Sequence, residues 1–149
     1  MTHDFFIEIY KNKIFLTTLS SWAIAQTIKV SIGVVRSKKF DFRWFVGTGG
    51  MPSSHAAGAS CLASAIGLQY GFDSVYFALA AAFAIVVMFD AQGVRRATGR
   101  QARILNKMTE DIYWQGRIQD DRLRELVGHT PVEVIAGFLL GVTIAFIAA

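Results

Sequence analysis

The sequence predicts an all-α fold, a polytopic bundle of about four membrane-spanning helices joined by polar connections, one of them long and partly helical. Three observations carry that expectation. First, 53% of the 149 residues are hydrophobic and 17% are charged, with a mean hydropathy of +0.40. A soluble domain of this length could not cover so much apolar surface with so little charge. Second, the charge is segregated: long stretches carry almost none and two loops carry most of it. Third, the apolar stretches lack the period-2 alternation of barrel strands, and only helices or closed barrels cross lipid. The length suits one integral membrane domain over residues 1–149.

The apolar stretches run from Ile14 to Val35, Ala56 to Gly71, Ser74 to Ala91 and Val132 to Ala149. Each is near the roughly 17–25 residues that a spanning helix needs, the second being short. Lys11 and Lys13 ahead of the first stretch, with Ala23-Ile24-Ala25 inside it, resemble a signal peptide and its small-residue cleavage site. Asp4 and Glu8 in the leader, and the apolar residues beyond Ala25, favour a retained span instead. The segment from Gln92 to Pro131 is polar and mixed in sign. Within it, Thr98 to Tyr113 reads either as an amphipathic surface helix turning Ile104, Leu105 and Met108 to lipid, or as a solvated helical loop.

Of the 15 lysines and arginines, all but Lys11, Lys13 and Lys29 lie between Arg36 and His55 or between Gln92 and Pro131. Four spans put these two loops on one side. The positive-inside rule then makes that side cytoplasmic and accounts for the net charge of +4 with no nucleic-acid partner. The single cysteine, Cys61, excludes an intramolecular disulfide and reads as a small packing residue in an alanine-rich run. Gly67-x3-Gly71 and Gly137-x3-Gly141 suit helix packing within a chain or between chains, which leaves a homo-oligomer open.

Four clusters of residues carry candidate chemistry. Gly49-Gly50-Met51-Pro52-Ser53-Ser54-His55 sets a turn before the second span, with Ser53 or Ser54 near its N-cap. Backbone N–H groups at a helix start receive anions, and a histidine in the first turn can give or take a proton near neutral pH. An ordinary serine cap with an incidental histidine is the plainer reading. Gly128-His129-Thr130-Pro131-Val132-Glu133 opens the fourth span. His129 and Glu133 are four apart, hence on one face if the helix has begun, and a carboxylate there can fix the imidazole tautomer. An interfacial pair that merely anchors the helix is the alternative. Lys29 and Arg36 stand two turns apart on one face, pointing at an anion or, for Lys29, snorkelling to the interface. Asp90, Arg95 and Arg96 leave the third span toward the same side.

Two histidines, several cations and a helix N-terminus suit a phosphoryl group, with one histidine attacking and the other protonating the leaving group. A metal site is the poorer chemistry, since His3 is remote and no familiar ligand spacing appears.

The order Lys29-x6-Arg36, Pro52-Ser53-Ser54-His55 and His129-x3-Glu133 resembles the three motifs of the type 2 phosphatidic acid phosphatase superfamily. That helical superfamily also contains vanadium-dependent haloperoxidases. Gly49 to Ala57, Asp90 to Arg103 and Gly128 to Gly141 look like its divergent bacterial and plant branch, described as acid phosphatase/vanadium-dependent haloperoxidase-related. The likeness covers nearly the whole chain from Lys29 onward. It implies a lipid phosphate or pyrophosphate as substrate, with no metal or other cofactor. By the same resemblance His129 would be the nucleophile, Glu133 its orienting group and His55 the general acid. Lys29, Arg36, Ser53 and Ser54 would hold the phosphate oxygens.

Three departures stand out. Ser54 replaces the usual glycine and Glu133 the usual aspartate. The Ser-Arg pair normally found before the motif histidine is missing, its arginine position being Leu123 between Arg122 and Arg124. Arg95 or Arg96 is the expected replacement. The missing pair also favours a rival reading, a non-enzymatic membrane protein of the same fold that binds an anionic head group or a partner.

Overall fold

The computed structural model describes residues 2–38, 50–113 and 128–149, and the regular structure among them is entirely helical. In chain order the elements are α1 (Thr2–Lys11), α2 (Lys13–Ser37), α3 (Ser54–Tyr70), α4 (Val75–Phe89), a π-helical turn (Asp90–Val94), α5 (Arg95–Tyr113) and α6 (Pro131–Ala148). The four apolar stretches thus become α2, α3, α4 and α6, with ends shifted by one or two residues. Each starts on a polar side chain that accepts a hydrogen bond from an N–H of the first turn, where no backbone carbonyl is available. The pairs are Asn12 with Phe15 at 3.0 Å, Ser53 with Ala56 at 3.3 Å, Ser74 with Phe77 at 3.2 Å and Thr130 with Glu133 at 3.4 Å.

The packing is inverted relative to a water-soluble core. Among the described residues, the largest side chains that are fully buried are Cys61, Ser21, Ser53 and Ser60. The buried hydrophobics are almost all alanines, while Leu79, Phe83, Val86 and Phe89 on α4 and Ile135, Leu139 and Ile147 on α6 face outward. Val75–Gly93 and Pro131–Ala148 are long and apolar enough to cross a bilayer, yet only 17% and 22% of these stretches is buried. A core helix of a soluble protein would be mostly covered. Large apolar side chains turned outward over small ones turned inward suit a lipid surround, where helices associate through close backbone contact.

Helix α3 is the centre, packed on α2, α4 and α6. Its alanine, serine and glycine face lets neighbours approach closely. Gly137 and Gly141 of α6 lie so near α3 that a Cβ at either would strike a backbone carbonyl, that of Ser53 or of Ala57. The glycine pair therefore packs within the chain. Polar bonds cross the same seams: Ser60 Oγ donates to Phe138 O at 3.1 Å, and Ser21 Oγ to Ala57 O at 3.2 Å. Cys61 is buried as a packing residue, its thiol 3.6 Å from Thr17 O.

Two features have no counterpart in the sequence reading. Helix α1 precedes the first apolar stretch, separated from α2 only by Asn12. The third stretch does not stop at Ala91; α4 passes through the π turn directly into α5. A π turn adds one residue to a helical turn and leaves backbone groups free for other partners.

Candidate functional site

The site lies where the end of α2 and the starts of α3 and α6 meet the π turn. Two long-range backbone hydrogen bonds and one side-chain contact assemble it. The His129 N–H donates to Ala91 O in the π turn at 2.9 Å, and the Ser53 N–H donates to Glu133 O at 3.0 Å. The aliphatic stem of Lys29 passes the backbone of Gly50, where a Cβ would sit 3.1 Å from Cγ and Cδ. Gly50 also has φ +93°, a conformation that L side chains rarely adopt.

Glu133 is the hub. Its Oε2 accepts from the Thr130 N–H at 3.0 Å and lies 3.0 Å from His129 Nδ1. Its own N–H donates to Thr130 Oγ1 at 3.4 Å, completing a capping box. The helix begins at Pro131, so His129 lies before the cap. His129 and Glu133 therefore do not share a helical face as spacing suggested. They meet because the capping box folds the carboxylate back over the helix start. A carboxylate that accepts from Nδ1 fixes the proton there, and in the neutral ring Nε2 is then the nitrogen that carries the lone pair. This arrangement also answers the cost of a carboxylate at the end of an apolar helix, since two partners, the Thr130 N–H and His129 Nδ1, meet its Oε2.

His129 is buried, 4% exposed, whereas His55 is exposed in the first turn of α3. Their ring centroids are 6.4 Å apart at an interplanar angle of 59°. The two rings are thus near each other without stacking, one inside the site and one at its rim. Lys29 is buried, the Gly50 contact placing its stem against the loop that leads to Ser53. Ser53 and Ser54 are buried, and Ser53 is already engaged as the cap of α3. Arg36, in the last turn of α2, is exposed.

Arg95 and Arg96 open α5 just after the π turn, their side chains falling outside the described residues, as do Leu123, Arg122 and Arg124. Lys29, Ser53, Ser54, His55, His129 and Glu133 come together. Sequence reasoning missed the carbonyl of Ala91, because nothing in the local pattern marks a π turn. A cavity of about 1330 Å³ lies at the opposite end of the bundle, lined by Lys11, Lys13, Thr18, Tyr70, Tyr76 and Ala149 among others, and it is not part of this site.

The family model described as Divergent PAP2 family matches residues 10–144. An uncharacterized membrane protein, YuiD, of Bacillus subtilis (strain 168) is 38% identical over 154 aligned positions, covering 96% of this chain and 98% of the relative. No solved structure matches. A match over most of the chain, taking in every candidate motif above, places it: the protein belongs to the Divergent PAP2 family.

Proposed function

We propose that the protein is a four-span membrane phosphatase, one integral domain, that hydrolyses a lipid phosphate monoester or pyrophosphate through a phosphohistidine. The observation that carries this reading is the 3.0 Å contact between His129 Nδ1 and Glu133, beside a second histidine at 6.4 Å. Glu133 holds the tautomer in which Nε2 attacks phosphorus. The P–O bond to the leaving group breaks, and His55 gives its proton to the departing oxygen. In the second half, His55 takes a proton from water, which attacks the phosphohistidine and releases phosphate and free His129. Lys29, Arg36, Ser53, Ser54 and Arg95 or Arg96 hold the phosphate oxygens and offset charge that develops in transfer.

In this reading α2 and α3 also span the bilayer. The polar Gln26 and Lys29 of α2 are buried, and nine of the 17 residues of α3 are buried, the helix packing on α2, α4 and α6. The basic loops face the cytoplasm, which favours a substrate of the inner leaflet such as phosphatidate or phosphatidylglycerophosphate.

Phosphate release from a panel of lipid phosphates tests the proposal, using protein purified in detergent, with His129→Ala and His55→Ala in parallel. Release that either substitution abolishes is the expected result. A well-folded protein that releases none from any lipid would sink the hydrolase reading. It would favour the rival, a binding protein of the same fold, to which the missing Ser-Arg pair also points.

A further inference from the structure

Helix α5 carries three separate stripes. At 3.6 residues per turn, Gly99, Ala102 and Asn106 fall on one face, and in the structure the first two are buried and the third half-buried. Ile104, Leu105 and Met108 form a second face and are 55%, 50% and 56% exposed. Arg103 and Lys107, four apart, form a third, and both are exposed. Among the described elements, α5 packs chiefly on the π turn.

The placement of these stripes decides what can cover them. The apolar and basic faces are roughly a third of a turn apart, not opposite. If the apolar face is lowered into a membrane, the cations come to rest at head-group level and not in water above it. Helix α4 ends at Phe89 and the π turn carries the chain straight into α5, so α5 begins at the membrane boundary. Nucleic acid would meet the cations but leave Ile104, Leu105 and Met108 uncovered. A bilayer with anionic lipids meets both.

We propose that α5 is an in-plane membrane helix that binds anionic lipid head groups on the histidine side through Arg103 and Lys107, with Ile104, Leu105 and Met108 among the acyl chains. Because the π turn at its base accepts the His129 N–H through Ala91 O, the docked helix borders the site directly. The inference is independent of hydrolysis.

The test introduces a thiol by Leu105→Cys, and separately by Met108→Cys, leaving Cys61, which is fully buried, as a non-reacting thiol. Labelling by a membrane-impermeant maleimide is timed in phosphatidylcholine vesicles and in vesicles with about 30% phosphatidylglycerol. Labelling of the accessible fraction is expected to be at least about fivefold slower in the anionic vesicles, the effect of one cation near the surface. Adding Arg103→Gln or Lys107→Gln restores about fivefold each, and high salt acts the same way. Equal rates in the two vesicle types, whether fast or slow, would overturn the proposal. So would protection that grows with the protein-to-lipid ratio, which would mean a second copy covers the face.

Discussion

Replacing Gly141 with alanine tests the packing that builds the site. A Cβ at Gly141 would overlap the carbonyl oxygen of Ala57 and the hydroxyl of Ser60, so α6 must move away from α3. Overpacking of this kind costs about 1–3 kcal/mol. Displacing Ser60 Oγ also weakens its bond to Phe138 O, about 1 kcal/mol more. Alanine's better helix propensity returns up to about 1 kcal/mol. The net expectation is a loss of about 1–3 kcal/mol. Gly58 is the control, because a Cβ there finds only Trp22 Cβ at 3.9 Å, an ordinary contact. Gly58→Ala should keep the propensity gain and lose nothing, remaining neutral or up to about 1 kcal/mol more stable. Both variants would be unfolded in mild detergent by added dodecyl sulfate, with tryptophan fluorescence as the readout. A Gly141→Ala protein as stable as the wild type, or a more damaging Gly58→Ala, would refute the close approach of α6 to α3.

Two further substitutions separate chemistry from structure at the site. Glu133→Gln keeps an oxygen to accept from the Thr130 N–H but presents the wrong partner to His129 Nδ1. Phosphate release should fall between about 10²- and 10⁴-fold with little change in stability, whereas Glu133→Ala should also lose about 1 kcal/mol of helix capping. Equal activity of Glu133→Gln and wild type would remove Glu133 from the mechanism. Lys29→Met keeps an apolar stem beside Gly50 and removes the charge. Turnover at low substrate should drop on the order of tenfold or more; normal specific activity with a large stability loss would make Lys29 purely structural.

The helices were legible because their signals are local. Apolar runs gave α2, α3, α4 and α6, and Ser53 marked the start of α3 from the sequence, whereas the caps Asn12, Ser74 and Thr130 emerged with the structure. Legible too were the candidate residues, since histidine beside serine or glutamate at a helix start is a short-range pattern. Less legible was the length of α4, because Asp90-Ala91-Gln92-Gly93-Val94 looks like the end of a span and is in fact a π turn that continues as α5. The role of Glu133 was half visible: its partner was identified correctly, but the contact arises from a capping box and not from a shared helical face.

What the sequence determined alone is thus the helical class, the order of the apolar segments, the segregation of charge and the family motifs, all of which depend on residues near one another in the chain. What only the tertiary structure decided is which surfaces meet. That α3 lies at the centre, that Gly137 and Gly141 face its carbonyls, and that Ala91 receives the His129 N–H depend on contacts between segments tens of residues apart. The physical reason is that backbone carbonyls and missing side chains make these contacts. A glycine reads the same in the sequence whether its open side faces lipid or another helix, and every residue offers the same carbonyl.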